Sequence, residues 1–117
     1  AMTRVGVTID CNDLDLMTNF WSAALGYRIG GLDAQYQWID DPDGEGPGII
    51  LQRVPEPRIG KNRLHVDIYA NDIEHEARRL LSLGARIIDA VPLEEASNRW
   101  IRLADPECNE FCVVQAH

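Results

Sequence analysis

Leu64-His65-Val66-Asp67-Ile68-Tyr69 is the stretch whose reading decides the fold. Apolar Leu64, Val66 and Ile68 alternate with His65, Asp67 and Tyr69, the pattern of a strand with one buried face. Asp72-Ile73, a helical run and Leu83-Gly84 follow. The same succession stands earlier: Val5-Gly6-Val7-Thr8-Ile9-Asp10, then Asp13-Leu14, a helical run and Leu25-Gly26. Asp13 and Asp72 are 59 residues apart, and Gly26 and Gly84 are 58 apart. The tails match too, Trp38-Ile39 before Asp41-Pro42 and Trp100-Ile101 before Asp105-Pro106, at separations of 62 for the tryptophans and 64 for the aspartates. Such a repeat is one supersecondary unit used twice. Two half-barrels are expected to enclose a pocket for a small molecule.

Working outward, the first module covers about residues 3–54 and the second about 63–116 of a single domain of 117 residues. In the first, residues 5–11 alternate as a strand. Asn12 or Asp13 caps a helix carrying Leu14, Met17, Phe20, Trp21, Ala24 and Leu25 on one stripe, and Gly26 ends it. Strands follow at 27–31, 35–40 and 49–54, with a turn around Leu32-Asp33 and dense turn chemistry from Asp41 to Gly48. In the second module, strands are expected at 63–70, 85–90, 98–103 and 110–115. Asn71 or Asp72 caps a helix bearing Ile73, Ala77, Leu80 and Leu81. Each module therefore reads β-α-β-β-β, and the fold class is α+β: a cup-shaped mixed sheet with helices outside. Val5, Val7, Ile9, Leu64, Val66 and Ile68 are expected to face the helices. Alternation then sends Gly6, Thr8, Asp10, Arg63, His65, Asp67 and Tyr69 to the opposite face.

A net charge of −8 and a pI near 4.7 argue against a nucleic-acid partner, whose phosphates demand a basic face. An acidic surface chiefly serves solubility, and it also permits a cationic ligand. No apolar run reaches the length of a membrane span, and no secretory signal is visible, Ala1 ahead of Met2 being set aside as foreign to the fold. Three cysteines, Cys11, Cys108 and Cys112, an odd number, point to reduced thiols and a cytoplasmic location.

Phe20-Trp21 followed by Leu25-Gly26-Tyr27, the segment Lys61-Asn62-Arg63-Leu64-His65-Val66-Asp67, and Asp105-Pro106-Glu107-Cys108-Asn109-Glu110-Phe111-Cys112 together resemble the vicinal oxygen chelate superfamily. Its members include glyoxalase I, extradiol dioxygenases, fosfomycin-resistance transferases and the bleomycin-resistance binding proteins; the segments look most like its glyoxalase-like domain subgroup. In metal-using members, the resemblance implies ligands on the cup-facing side of each module's first and last strands. His65 falls on such a position, seven residues before Asp72, and its counterpart seven before Asp13 is Gly6. The carboxylate expected seven residues after Asp105 is replaced by Cys112. On the strand at 49–54 the polar candidate is Gln52 and the apolar alternative Ile50. A metal, if bound, would use His65, Gln52 and Cys112. That set falls short of a full catalytic site, so no cofactor is expected, with a divalent ion as the alternative.

His65 is the candidate catalytic residue, well matched as a neutral acid/base, set against a plain buried histidine bonded to Asp67 or Arg63. Asp67 and Tyr69 share its face, either orienting a ligand or satisfying Arg63. Arg63 itself suits a carboxylate or phosphate. Trp38 and Trp100, read as equivalent positions, suit a flat ligand or simple sheet packing. Thr8, Gln52, Glu110 and Cys112 complete the candidate ligand-binding set. The leading function is small-molecule binding without a full metal site, as in the bleomycin binders. The alternatives are a metal-dependent lyase, isomerase or dioxygenase, and metal-free acid/base catalysis by His65 with Asp67 or Tyr69. A homodimer is expected from open sheet edges.

Overall fold

The computed structural model describes residues 4–89, 91–95 and 97–116. Thr3 at the expected start of the first module, Ala90 at the expected end of a strand, and His117 lie outside the described residues. The backbone forms two compact units, residues 1–57 and 58–117.

The first unit runs β1 (Gly6–Cys11), α1 (Leu14–Leu25), β2 (Arg28–Asp33), β3 (Tyr36–Asp40) and β4 (Gly48–Arg53). Its sheet has the order β1-β4-β3-β2, with β1 parallel to β4 and the other pairs antiparallel. Asp13 rather than Asn12 caps α1, its carboxylate accepting from the Leu16 N–H at 3.0 Å. Gly26 ends the helix at φ 67°, a left-handed turn that glycine enters without steric cost. Met17, Phe20, Trp21 and Ala24 bury against Cys11, Ile39, Ile49 and Leu51 of the sheet.

The second unit repeats the plan: β5 (Asp67–Ala70), α2 (Ile73–Ser82), β6 (Arg86–Ile87), β7 (Leu93–Glu95), β8 (Asn98–Ala104) and β9 (Glu110–Gln115). Its order is β5-β9-β8-β6, with β7 also paired to β8. Thus β6 and β7 together lie along β8 as β2 lies along β3, and β2 itself breaks register between Ile29 and Leu32. Asp72 caps α2 by accepting from the His75 N–H at 3.0 Å. Ile73, Ala77 and Leu80 bury with Ile101, Leu103, Phe111 and Val113. The fold is α+β, built from two βαβββ units as the sequence implied.

Several local expectations are corrected. The strand expected at 63–70 pairs only from Asp67, although Val66 still accepts from the Cys112 N–H at 3.0 Å. Arg63 and Leu64 sit in a bend, and Leu64 is 88% exposed rather than under the helix. Val5 precedes β1 and is also exposed. The strand expected at 85–90 shrinks to Arg86–Ile87, and β7 forms where none was foreseen. The hairpin turn lies at Ala34-Gln35, with Asp33 still in register with Tyr36. Leu81 is 38% exposed, off the buried stripe.

The two Asp-Pro turns are built alike. Gly44 N–H donates to the Asp41 carbonyl and Cys108 N–H to the Asp105 carbonyl, each at 2.9 Å, and both residues take left-handed φ, 71° and 72°. The Asp41 carboxylate accepts from the N–H groups of Asp43, Glu45 and Gly46; that of fully buried Asp105 accepts from Glu107 and Asn109. These donors hold the Asp41 carboxyl below its ordinary pKa.

The register shows which residues of the repeat correspond. Thr8 pairs with Ile50 and Ile50 with Trp38; Asp67 pairs with Cys112 and Cys112 with Arg102. Since Thr8 and Asp67 each stand five residues before the capping aspartate, Ile50 corresponds to Cys112 and Trp38 to Arg102. Trp100 corresponds to Tyr36, because both face the next position along, Val114 and Gln52 respectively. The expected equivalence of Trp38 and Trp100 is therefore displaced by two residues within one face. The offset lies ahead of the turn: Trp38 and Arg102 each stand three residues before the turn aspartate, whereas Trp100 stands five before it.

Leu80→Ala should destabilise the chain by about 2–5 kcal/mol, and Leu81→Ala by less than about 0.5 kcal/mol, in urea unfolding followed by circular dichroism. Equal losses would contradict the stripe described here.

Candidate functional site

A helix covers one face of each sheet, so alternate residues are driven to the other face. In the second unit that open face carries two rows in register. One is Tyr69, Val114, Trp100 and Leu93; the next is Asp67, Cys112 and Arg102. His65, one row further along in the segment ahead of β5, has its Nδ1 3.1 Å from Asp67 Oδ1. One ligand atom from each of His65, Asp67 and Cys112 falls within 4.8 Å of the others. Arg102 turns to Asp89, with Nε to Oδ2 at 2.6 Å and Nη2 to Oδ1 at 2.9 Å. Beyond Cys112 on β9, Glu110 meets Lys61 Nζ at 2.5 Å, and its N–H donates to Asn62 Oδ1 at 3.0 Å. Burial, then the Asp67 carboxylate, push the Cys112 thiol up to about 11 despite Arg102 and Lys61. It stays protonated near neutrality and is a poor nucleophile there.

The open face of the first unit has the same frame with other contents. One row is Asp10, Gln52, Tyr36 and Asp33; the next is Thr8, Ile50 and Trp38; beyond them Gly6 pairs with Gly48 and Arg28 with Asp40, whose Oδ1 would lie 3.5 Å from a Cβ on Gly48. Tyr36 and Trp38 stand with ring centroids 6.3 Å apart at 42°. Gln52 Nε2 lies 3.4 Å from the Tyr36 hydroxyl.

The candidates thus fall in two groups. His65, Asp67, Cys112, Tyr69, Trp100 and Glu110 share the open side of the second unit. Thr8, Gln52 and Trp38 share that of the first. Arg63 is exposed in the bend ahead of β5. Sequence reasoning missed Tyr36, Asp33, Arg102 and Asp89. Tyr36 and Arg102 were within reach, each two residues from a singled-out tryptophan and so on its face. Asp89 was not, because it sits in the irregular stretch after β6.

Comparison with known proteins now bears on this arrangement. The glyoxalase-like domain family matches residues 6–114. The chain belongs to that family. No curated protein sequence matches it. Among solved structures, the fosfomycin resistance protein FosX from Mesorhizobium loti is 16% identical, covers 100% of this chain and 94% of its own, and superposes with a TM-score of 0.74. A glyoxalase family protein from Bacillus cereus is 20% identical, with coverage of 98% and 94% and a TM-score of 0.73. A FosX variant from Listeria monocytogenes, solved with Mn(II) and 1S,2S-dihydroxypropylphosphonic acid, is 12% identical, with coverage of 100% and 92% and a TM-score of 0.79. These likenesses are of fold, within the glyoxalase, bleomycin resistance and dioxygenase superfamily.

Judged by donor chemistry alone, the residues present would fit only one kind of metal ion. Within the second unit of this glyoxalase-like domain, His65, Asp67 and Cys112 offer one nitrogen, one oxygen and one sulfur. Such a set suits a tetrahedral, zinc-like ion with one open position and does not suit manganese or magnesium, which want oxygen. The ion would also have to displace the Cys112 proton. The corresponding positions of the first unit, Gly6, Thr8 and Ile50, add at most one hydroxyl, and Gln52 corresponds to Val114, one register step away.

Arg102 holds the Asp89 carboxyl below its ordinary value. A lowered carboxylate stabilises the fold above its unfolded pKa near 4 and loses that contribution as pH falls through the folded value. Between pH 6 and 3, Tm should fall more for the wild type than for Asp89→Asn, by about a degree or two given the exposure of the pair. Parallel curves would show that the pair contributes nothing.

Proposed function

We propose that the chain binds a small organic molecule on the open faces of its sheets and does so without the hard-metal centre of its metal-using relatives. The observation that carries this is the register. His65 and Cys112 correspond to Gly6 and Ile50, so the repeat supplies neither imidazole nor carboxylate at the matching places of the first unit. What lies there instead is recognition material: aromatic rings, an amide, a hydroxyl and carboxylates. In the second unit, His65 Nδ1 stands 3.1 Å from Asp67 Oδ1, which orients the imidazole. That arrangement orients a ligand's hydroxyl or amine as readily as it takes a proton. A reducing, cytoplasmic setting for the three free cysteines and a homodimer formed through sheet edges belong to the same proposal.

One observation favours a second reading, a zinc-like ion held by His65, Asp67 and Cys112, whose donor atoms lie within 4.8 Å of one another. In that case the chain would be a lyase, isomerase or dioxygenase of the superfamily.

Metal analysis separates the two. Tag-free protein dialysed against buffer should retain less than about 0.1 equivalent of zinc, manganese, nickel or iron, and a thermal-shift screen should find organic ligands recovered unchanged. At one hundred times Kd, a ligand adds about 2.7 kcal/mol of stability. One equivalent of metal that survives dialysis, and is lost in both His65→Ala and Cys112→Ser, would overturn the metal-free reading. Turnover of the bound ligand would overturn the reading as a binder.

A further inference from the structure

Resting on the binding reading above, we infer that the open face of the first unit selects an organic cation, an ammonium or guanidinium group carried on a flat apolar body.

Three observations converge. The first is the aromatic pair. Trp38 and Tyr36 are two residues apart on β3 and so share the open face, with centroids 6.3 Å apart and planes inclined at 42°. Tyr36 is 38% exposed. Rings presented in this way attract a cation to their faces. The second is the charge placed around them. Asp10 and Asp33 close the two ends of the row Asp10, Gln52, Tyr36, Asp33. Among the described residues neither takes part in an ion pair. The basic residue of this face, Arg28, lies in register with a third carboxylate, Asp40. Strands lie about 4.8 Å apart, so Asp10 and Tyr36 are about 10 Å apart through Gln52. That span fits a small ring system with its charged group at one end.

The third is clearance beside Trp38. Where β2 should place side chains next to it, the register breaks and Gly30-Gly31 stands there. A Cβ on Gly30 would come within 3.3 Å of the Trp38 carbonyl and 3.6 Å of its Cβ, and one on Gly31 would enter open space. Trp38 is half-buried, and the strand beside it brings no side chain at Gly30-Gly31. The net charge of −8 adds a field that concentrates cations near the surface. The second unit does not repeat these features. Tyr69, Val114 and Arg102 correspond there to Asp10, Gln52 and Trp38, so the selectivity belongs to the first unit.

The test uses the intact chain and three probes of similar size: benzyltrimethylammonium, benzyl alcohol and phenylacetate. Indole N–H signals of Trp21, Trp38 and Trp100 report which ring each probe reaches. Benzyltrimethylammonium should move the Trp38 signal saturably and bind at least about tenfold tighter than phenylacetate. Asp10→Asn and Asp33→Asn should each weaken it about two- to fivefold, Trp38→Leu by more than about tenfold, and Trp38→Phe by less than Trp38→Leu. Trp100→Leu should leave it unchanged. Equal or tighter binding of benzyl alcohol or phenylacetate would overturn the cation preference while leaving small-molecule binding intact. So would a response confined to Trp100. Silence from all three probes, with hits still found in the thermal-shift screen, would overturn this inference alone. Silence in both would overturn the binding reading as well.

Discussion

Everything about the candidate site depends on one constraint: each sheet has a single helix to bury against. Met17, Phe20, Trp21 and Ala24 on α1, and Ile73, Ala77 and Leu80 on α2, claim one face of each sheet and exclude water from it. Strand side chains alternate, so every second residue is committed to the other face before any function is considered. That commitment brings Asp67, Cys112 and Arg102 into one row, and Asp10, Gln52, Tyr36 and Asp33 into another.

Duplication supplied the same frame twice, and the two copies have diverged in opposite senses. The row nearest the capping aspartates is polar in the first unit, Asp10-Gln52-Tyr36, and apolar in the second, Tyr69-Val114-Trp100. The next row reverses this: Thr8-Ile50-Trp38 against Asp67-Cys112-Arg102. The imidazole and the thiol stand in the second copy, and the aromatic pair Tyr36 and Trp38 in the first. His65 has its orienting carboxylate 3.1 Å away, and its counterpart Gly6 has no side chain at all. The second copy supports the charged row with Lys61 on Glu110 and Arg102 on Asp89.

The repeat, the two helices, the Asn-Asp pairs that hold their caps and the parity of β1 and β5 were legible in the sequence, because burial of one face writes a period of two into a strand and about four into a helix. The short β6, the extra β7 and the bend holding Arg63 and Leu64 were not. Edge segments have one ladder partner at most, so little in their pattern distinguishes strand from loop. Within the site, parity placed Asp67 beside His65, the family resemblance placed Cys112, and Glu110 followed from sharing the parity of Cys112. The pairing of Trp38 with Ile50 could not be read there, since the turn after Asp41 is two residues longer than the one after Asp105. Alternation shows which face a residue occupies; only the ladder shows its neighbour across the strands.

The most direct check of the central claim is a set of NOE contacts from the His65 imidazole in the free protein. An open-face histidine should show contacts to the β-protons of Cys112 and Asp67 and none to the methyl groups of Leu80 or Ala77. Contacts to those helix methyls would put the imidazole under α2, reverse the faces of the second unit, and remove the basis for the site.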